Sequence, residues 1–417
     1  MKNKILFIGD DIRQTTGVAN ILKQLVLHLS AEFDIVQIAC GSPQSNSIID
    51  VSESVSQITG NKNCNVKLYE TNSFCNVDKL RNTLLTESPD CIFIMTDPHR
   101  YDWLFEIEQE IRTVCPLMYY HVWDNTPYPK FLKSIYKSCD WIGCISKTTQ
   151  KCVSEVCADH KNYTYIPHGV NTQIYNKQAN NQIEKHRLGF LGKNYEFVLF
   201  CNNVNQRRKN IGNLIAGFAD FYDKLTSEQQ DGVVLLLHTN PDSPTGPNIN
   251  CILDDLYADL PVLLSTEKVD ESILNNMYNL SHCTINVASN EGFGLTTLES
   301  VATETPVIMT HTGGLKDQYN ELWSEKIIPS IKLLTGSQKT PYIHSDICTP
   351  VDISHSIRVM YDKINKKEIE MNSCLDFLNE RGFTTTQMCD SISHEIQNTI
   401  KTFKPKKQFK FVKVTTE

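Results

Sequence analysis

Short apolar runs alternate with helix-like segments along most of the chain. The first run, ILFIG (Ile5–Gly9), is strand-like and is followed by a segment whose apolar residues fall on one helical face: Val18, Leu22, Leu25, Val26 and Leu29. Later strand-like runs are DIVQIA, NVKLYE, CIFIM, LMYYHVW and WIGCIS. Alternation of this kind is typical of parallel sheets with crossover helices. It predicts a first α/β domain over residues 1–170.

The alternation stops and then restarts. Residues 171–194 are polar and aperiodic, which is the composition of an interdomain linker. Strand-like runs then return as FVLFCN, VVLLLHT, PVLLST, TINVA and PVIMT, separated by helix-like segments. We expect a second α/β domain over 195–350. Residues 351–403 predict two or three helices that pack back across the domains, and 404–417 form a basic tail.

Length, cysteines and charge narrow the class of protein. A chain of 417 residues favours two domains over one. Its 15 cysteines are scattered singly with no C-x-x-C pair, which predicts reduced thiols in a cytoplasmic protein. The formal net charge of −8 argues against a surface coated by nucleic acid. MKNKILFIGDD resembles a first strand rather than a signal peptide, and no apolar run is long enough for a membrane span.

One basic segment departs from the acidic average. Lys401–Val414 interleaves six lysines with three phenylalanines. A solvated chain end is the simpler interpretation, and contact with an anionic surface is the alternative.

The stretch SNEGFGLTTLES (Ser289–Ser300) carries the first candidate chemistry. It follows the strand-like TINVA, and Gly292 and Gly294 would let the main chain approach a ligand at the start of a helix. The N–H groups and dipole of a helix start attract anions, so the turn can bind phosphate. Glu291 and Glu299 flank it. A structural alternative is a capping box in Thr296–Glu299, in which Glu299 only satisfies the helix start.

Three adjacent cations open the helix after FVLFCN. Arg207, Arg208 and Lys209 would oppose the dipole of that helix unless an anion lies there. A diphosphate clamp explains their position, with a solvated basic turn as the alternative.

The first domain offers weaker candidates. Gly17 lies in the turn between the first strand and helix, and no G-x-G-x-x-G follows that strand, which argues against a dinucleotide fold of the Rossmann type. His121, Trp123 and Asp124 end the strand-like LMYYHVW. A buried structural histidine is the alternative to a catalytic one.

Together these motifs resemble the retaining, nucleotide-sugar-dependent glycosyltransferases of family four. Glu291 and Glu299, in EGFGLTTLE, match the E-x(7)-E motif of that family. The stretches TPVIMTHTGGLKD, IPHGVNTQIY and HVWDNTPYP are similar to its other segments, so the likeness covers nearly the whole chain. It implies the GT-B fold, in which two Rossmann-like domains face each other across a deep cleft.

The resemblance also implies roles for individual residues. Glu291 would lie against the transferred sugar and Glu299 would bind the ribose. The backbone of Gly292, Phe293, Gly294 and Leu295 would hold sugar and phosphate, with Arg207 nearby. Lys209 and an arginine would neutralise the departing diphosphate, Gly17 would let its loop close over it, and His121 would face sugar and acceptor. Acceptor-side contacts would come from Asp97, His99, Trp123 and Asp124.

One position departs from the family. Many members have an arginine five residues before the lysine, where this chain has Val204, so we expect Arg208 to supply the second cation. We expect UDP as the nucleotide, although the residues leave the nucleotide and the sugar open. We expect no metal or other cofactor, because no D-x-D follows a strand between the domains and the cationic turn can replace a divalent metal. The acceptor and the oligomeric state are left open.

Three alternatives remain at this stage. A sugar phosphorylase or nucleotide-sugar epimerase would share the fold. A non-catalytic nucleotide-sugar-binding protein would bind the donor without turnover. A nucleic-acid base as acceptor is a variant that the lysine-rich tail suggests.

Overall fold

Two parallel sheets, each covered by helices, form the core of the protein. The computed structural model describes residues 2–42, 47–72 and 74–406, without the side chain of His99. The first sheet has the strand order β3-β4-β2-β1-β5-β6-β7-β8, in which only the edge strand β3 is antiparallel. Its strands are β1 (Lys4–Asp10), β2 (Asp34–Cys40), β3 (Ile48–Asp50), β4 (Val66–Thr71), β5 (Cys91–Thr96), β6 (Leu117–His121), β7 (Trp141–Cys144) and β8 (Tyr163–Tyr165).

The central strands of this sheet are continuous apolar runs because both of their faces are covered. All six residues of β5 are buried, as are the five residues Ile5–Gly9 of β1. The helices that cover the sheet are α1 (Gly17–Leu29), α2 (Ser52–Thr59), α3 (Val77–Glu87), α4 (Asp102–Glu106), α5 (Glu108–Ile111), α6 (Lys133–Ser138) and α7 (Lys147–Val156).

The second sheet is wholly parallel, with the order β11-β10-β9-β12-β13-β14. Its strands are β9 (Phe197–Asn202), β10 (Val233–His238), β11 (Val262–Ser265), β12 (Cys283–Asn286), β13 (Val307–Thr310) and β14 (Ser324–Ile327). The helices around it are α8 (Asn180–Leu191), α9 (Ile211–Tyr222), α10 (Ser227–Asp231), α11 (Ile249–Leu256), α12 (Glu271–Leu280), α13 (Leu295–Ala302) and α14 (Leu315–Gln318).

Several elements lie where the hydrophobic pattern predicts none. The polar stretch 171–194 contains α8, which buries only Ile183 and Leu191 and so carries almost no apolar face. The edge strands β3, β8 and β14 are also missing from the prediction, as is a hairpin of β15 (Ile331–Thr335) and β16 (Ile343–Ile347). Every residue of β15 is exposed, so burial imposes no alternation on it.

The final helices link the two halves of the molecule. They are α15 (Pro350–Asn365), α16 (Cys374–Arg381) and α17 (Thr385–Thr402). Helix α15 packs on α9, whereas α17 packs on α1 of the first domain. Thr385 Oγ1 donates to Gln24 Oε1 at 3.0 Å and Ser393 Oγ donates to Glu32 Oε2 at 2.8 Å. The last helix therefore returns the chain to the domain in which it began.

The basic tail is described only at its start. Lys406 Nζ lies 2.7 Å from Glu108 Oε2, and its backbone N–H donates to the carbonyl of Arg112 at 2.8 Å. Residues 407–417, on which the expected anionic contact depends, lie outside the described residues.

Candidate functional site

The turn between β12 and α13 places its backbone and Glu291 at the carboxyl edge of the second sheet. Gly294 precedes α13 with a φ of 96°, a conformation that favours glycine. Phe293 is buried against His168 and Phe383, so of this residue only the backbone can reach a ligand. Leu295 is the first residue of α13, so the unpaired N–H groups of that helix start lie beside this turn.

Glu291 and Lys209 form a buried ion pair across this edge. Each is only 9% exposed, and the Lys209 ammonium contacts Glu291 Oε2. Burial raises the pKa of Glu291, but the charges of Lys209 and Arg208 outweigh it and hold the pKa below its ordinary value. Burial lowers the pKa of Lys209, against the attraction of Glu291. A buried charge of either sign is costly without its partner.

The three adjacent cations lie on one short turn before α9 but in different environments. Arg208 Nη1 donates to the carbonyl of Asn290 at 2.8 Å and lies 3.6 Å from Glu291 Oε2. Its side chain is 42% exposed, so it can still reach an incoming ligand. Arg207 is exposed on the same turn. The structure thus brings Arg208 and Lys209, but not the exposed Val204, to Glu291.

Glu299 does not cap its helix, so the capping-box alternative is wrong. The N-cap position of α13 is Gly294, with no side-chain cap. The Glu299 carboxylate instead accepts a hydrogen bond from Tyr278 Oη at 2.6 Å, and Asn202 Nδ2 donates to the same hydroxyl at 3.0 Å. Burial raises the pKa of Glu299 to about 7, while the Tyr278 bond opposes that shift.

Gly17 begins α1 beside open space. Thr16 caps the helix by accepting from the N–H of Ala19 at 3.0 Å. No heavy atom lies within 4 Å of the position that a Cβ on Gly17 would occupy. Packing therefore does not require a glycine at position 17, and close approach of a ligand is the explanation that we retain for it.

His121 occupies the core of the first domain rather than the cleft. It is fully buried, and its ring nitrogens lie 2.8 Å from Tyr119 Oη and 2.7 Å from Tyr136 Oη. Burial lowers the pKa of His121 to about 3, so the ring is neutral. With both nitrogens engaged it matches the structural histidine that was the alternative to a catalytic one, and we leave it out of the proposed site.

The acceptor-side candidates also separate. Trp123 is buried, with its indole N–H on the carbonyl of Asn125 and its ring against Phe131. Asp124 is partly buried, and burial raises its pKa to about 7 against the opposing charge of Arg208. Asp97 is partly buried and adds to the rise in the pKa of Asp124. The side chain of His99 lies outside the described residues.

The two domains meet at this edge. A Cβ on Gly292 would lie 2.9 Å from the carbonyl oxygen of Val122, and one on Gly313 would lie 2.5 Å from that of Asp124. The Lys147 N–H donates to Asp317 Oδ2 across the same boundary at 2.7 Å. Backbone of the first domain therefore contacts the turn that carries Glu291.

Sequence reasoning missed residues that support this site. His168, in the stretch IPHGV, packs against Phe293, and its Nδ1 lies 3.1 Å from Tyr120 Oη. Burial lowers its pKa to about 3, against the pull of Glu291. The polar His168 inside an apolar context was a signal, whereas nothing near Tyr278 in the sequence marks it as a partner of Glu299.

The described residues contain neither a metal-binding cluster nor a membrane-spanning helix. Within residues 2–42, 47–72 and 74–406, no group of three or more histidine, cysteine or acidic side chains is arranged to hold a metal ion. No helix in that part of the chain has the length and apolar character that crossing a membrane requires.

Comparison with known proteins confirms the GT-B fold. No family model matches the chain. HepE of Anabaena, solved with UDP and glucose, is 12% identical with a TM-score of 0.68, over 95% of this chain and 100% of that one. Sucrose-phosphate synthase from Thermosynechococcus elongatus is 13% identical with a TM-score of 0.71, over 95% and 99%. At this identity the likeness establishes the architecture.

One curated protein aligns with part of the sequence. Alpha-monoglucosyldiacylglycerol synthase of Acholeplasma laidlawii is 23% identical over 220 residues, which are 51% of this chain. The alignment spans about half the length of that relative, 51%.

Proposed function

We propose that this protein is a retaining glycosyltransferase, which moves a sugar from a nucleoside-diphosphate sugar to an acceptor hydroxyl without a metal. The observation that carries the proposal is the meeting of Lys209, Arg208 and Glu291 at the domain boundary, with Glu299 on the helix that follows. The GT-B neighbours add support, since HepE was solved with UDP and with UDP-glucose.

Charge development during transfer explains the two cations. As the glycosidic bond breaks, negative charge grows on the leaving diphosphate, and fixed cations in a partly dry site stabilise it. Lys209 is held in place by Glu291, and the half-exposed Arg208 can turn towards the phosphates. The N–H groups at the start of α13 complete the anion site.

The two acids accept hydrogen bonds from hydroxyl groups in this proposal. Glu291 lies against the transferred sugar and Glu299 binds the ribose. Transfer with retention then follows front-face departure of the nucleotide, with the leaving phosphate taking the acceptor proton. This path needs no base from the protein, in agreement with the enclosed position of His121.

A thermal-shift panel of nucleotide sugars, headed by UDP-glucose, tests donor binding. A ligand at a hundred times its dissociation constant stabilises the fold by about 2.7 kcal/mol. We expect the largest shift with a UDP-sugar, and NMR of the product should show the anomeric configuration of the donor. Absence of a shift with every donor would remove the proposal.

Metal independence is tested by chelation. Activity should survive EDTA, because Lys209 and Arg208 take the charge-neutralising role. Loss of turnover that magnesium or manganese restores would contradict this part. Release of free sugar phosphate, or epimerisation without an acceptor, would indicate the phosphorylase or epimerase instead, and binding without turnover would indicate the non-catalytic protein.

The acceptor is tested with three classes of hydroxyl compound. Diacylglycerol in mixed micelles is included because of the partly aligned relative, and hexose phosphates because of the sucrose-phosphate and trehalose-phosphate synthases among the structural neighbours. Nucleic acid represents the variant that the lysine-rich tail suggests. Deletion of 404–417 should alter salt-dependent affinity only if the tail binds an anionic acceptor.

A further inference from the structure

The hairpin β15–β16 connects the turn that carries Glu291 to a loop of the first domain. On the donor side, the Asp346 N–H donates to the carbonyl of Ser289 at 3.0 Å, and Asn290 Nδ2 donates to the carbonyl of His344 at 2.6 Å. Ser289 and Asn290 directly precede Glu291. The hairpin is therefore bonded to the backbone that positions the proposed sugar-binding acid.

Strand β16 and the residue before it are also hydrogen-bonded to the first domain. The His344 N–H donates to the carbonyl of Thr126 at 2.6 Å, and Asn125 Nδ2 donates to the carbonyl of His344 at 3.0 Å. The Lys130 N–H donates to Tyr342 Oη at 3.1 Å, and the Tyr342 ring packs edge-on against Phe131 at 5.1 Å. The first-domain partners in these contacts, Asn125 to Phe131, continue the loop that begins at Val122 and contains Asp124.

Asp346 joins these contacts through one carboxylate oxygen. Its Oδ2 accepts from Thr312 Oγ1 at 2.8 Å in the second domain and from Asn125 Nδ2 at 3.1 Å in the first. The residue is only 3% exposed although it lies in a hairpin whose other strand is wholly exposed. Lys332 Nζ, 3.5 Å from Oδ1, is the cation beside it, and its own side chain is 55% exposed.

Such a carboxylate is a poor source of stability. Burying a charge is expensive, and Asp346 receives two hydrogen bonds from neutral donors and one pairing with a half-exposed lysine. What the arrangement does provide is a fixed distance between Asn125 of one domain and Thr312 of the other. Thr312 directly precedes Gly313, where an added Cβ would lie 2.1 Å from the carbonyl oxygen of Glu291 and 2.5 Å from that of Asp124.

We propose that Asp346 is a positioning residue that holds the first-domain loop 122–131 in register with the turn that carries Glu291. The inference rests on the proposed function, because a transfer reaction needs groups from both domains beside one anomeric carbon. Misplacement of a reacting group by about 1 Å can cost on the order of a hundredfold in rate.

The test compares four single variants of the full chain. Asp346→Ala removes both hydrogen bonds, and Asp346→Asn keeps a carbonyl oxygen that can accept both. Asn125→Ala breaks the link from the other domain. Ser345→Ala is the matched control, since within the described part of the chain the side-chain hydroxyl of this neighbour bonds only inside the hairpin, 3.2 Å from Thr335 Oγ1. The readouts are the UDP-glucose dissociation constant and the rate of UDP release from UDP-glucose with water as the simplest acceptor.

We expect Asp346→Ala and Asn125→Ala to lower the maximal rate of UDP release about tenfold or more while leaving UDP-glucose binding within about twofold. Asp346→Asn should restore most of the rate, and Ser345→Ala should match the wild type. An unchanged rate in Asp346→Ala would overturn the inference, as would a parallel loss of binding, thermal stability and rate that Asp346→Asn does not restore.

A second readout separates this inference from the proposed function. Hydrogen exchange of the His344 amide, which donates across the domain boundary to the carbonyl of Thr126, should accelerate in Asp346→Ala but not in Ser345→Ala. If the wild type binds no donor of the nucleotide-sugar panel and releases no nucleotide from any of them, the proposed function fails and the exchange data alone decide whether Asp346 holds the loop. Unchanged exchange would contradict the positioning role independently of any activity.

Discussion

At the scale of single residues, the site depends on how burial acts on charge. Glu291 and Lys209 are buried together, and the partly buried Glu299 accepts a hydrogen bond from Tyr278. Burial alone would favour the neutral forms of all three side chains. Glu291 escapes this because two cations adjoin it, whereas Glu299 has only a hydroxyl and keeps a raised pKa.

Replacing only one member of the Lys209–Glu291 pair should lower the free energy of unfolding far more than replacing both members. Lys209→Met leaves a buried carboxylate with only the more distant Arg208, and we expect a loss of about 3 kcal/mol in the free energy of unfolding. Adding Glu291→Gln should recover part of that loss. Urea denaturation of both singles and the double gives the coupling.

An exposed pair provides the control for that cycle. Lys224 and Asp220 lie one helical turn apart, with side chains 59% and 36% exposed. The same neutralising changes there should alter the free energy of unfolding by less than about 1 kcal/mol. Equal coupling in the two pairs would contradict the buried character assigned to Lys209 and Glu291.

Glu299 should make donor binding depend on pH. The raised pKa of about 7 means that the carboxylate, the better acceptor for ribose hydroxyls, is lost as pH falls through neutrality. We expect the UDP-glucose dissociation constant to be about tenfold higher at pH 6 than at pH 8, because each pH unit below the pKa costs a factor of about ten. Calorimetric titration of UDP-glucose, which does not itself titrate in this range, measures the effect.

The contribution of Glu299 to folding stability should change with pH in the opposite direction to its contribution to donor binding. A carboxyl with a raised folded-state pKa ionises first in the unfolded chain, so its contribution to stability falls as pH rises from about 4.5 towards about 7. Glu299→Gln should therefore flatten the binding profile without lowering stability at pH 8. A variant that keeps the tenfold pH effect would show that another group, such as Asp124, causes it.

Among the secondary-structure elements, two strand-to-helix turns in different domains would both contact the donor in the proposed function. The turn before α13 needs glycine for its conformation, with Gly294 at a positive φ. The turn before α1 does not, because nothing surrounds the Cβ position of Gly17. A glycine without a packing reason is the better probe of ligand approach.

Gly17→Ala should spare the fold and impair the donor site. The free energy of unfolding should stay unchanged or rise by about 0.5–1 kcal/mol, since alanine restricts the unfolded chain. The dissociation constant of UDP-glucose should rise about tenfold, because a methyl group would meet the diphosphate with a loss of about 1.4 kcal/mol. Gly189→Ala is the matched control, with an equally open Cβ position within α8. Equal UDP-glucose dissociation constants for both variants would show that Gly17 does not contact the donor.

At the scale of the whole molecule, the two sheets are joined at the edge where the site lies. The hairpin, the Lys147–Asp317 bond and the packing of α17 on α1 all cross between the domains. The relative position of the domains is therefore fixed beside Glu291 and not only at the linker.

Gly292→Ala tests this contact. The added Cβ would lie 2.9 Å from the Val122 carbonyl oxygen and 3.2 Å from Ile145 Cδ1, both in the first domain. We expect the rate of UDP release to fall at least about tenfold, since the loops must separate by a few tenths of an ångström or more. Gly212→Ala, whose nearest contact is an ordinary 3.6 Å, should leave the rate unchanged, and equal rates would show that the contact is dispensable.

Local sequence pattern is sufficient to predict the two parallel sheets and the position of the glycine-containing turn before α13. Apolar runs such as ILFIG and TINVA are buried on both faces, and this local requirement is visible in the sequence. Arg208 and Lys209 can also be recognised from the sequence, because they are consecutive residues before a predicted helix. The sequence pattern did not predict helix α8 or the exposed hairpin, because these elements bury few residues and therefore show no hydrophobic periodicity.

The tertiary structure sets which polar residues come into contact. Tyr278 and Glu299 are 21 residues apart, and Asn125 and Asp346 are 221 apart, so no spacing marks them as partners. It also decided that Glu299 bonds a tyrosine instead of capping α13, and that His121 is enclosed between two tyrosines. Burial and hydrogen-bond partners depend on which elements pack together, whereas periodicity within one element is written in the sequence.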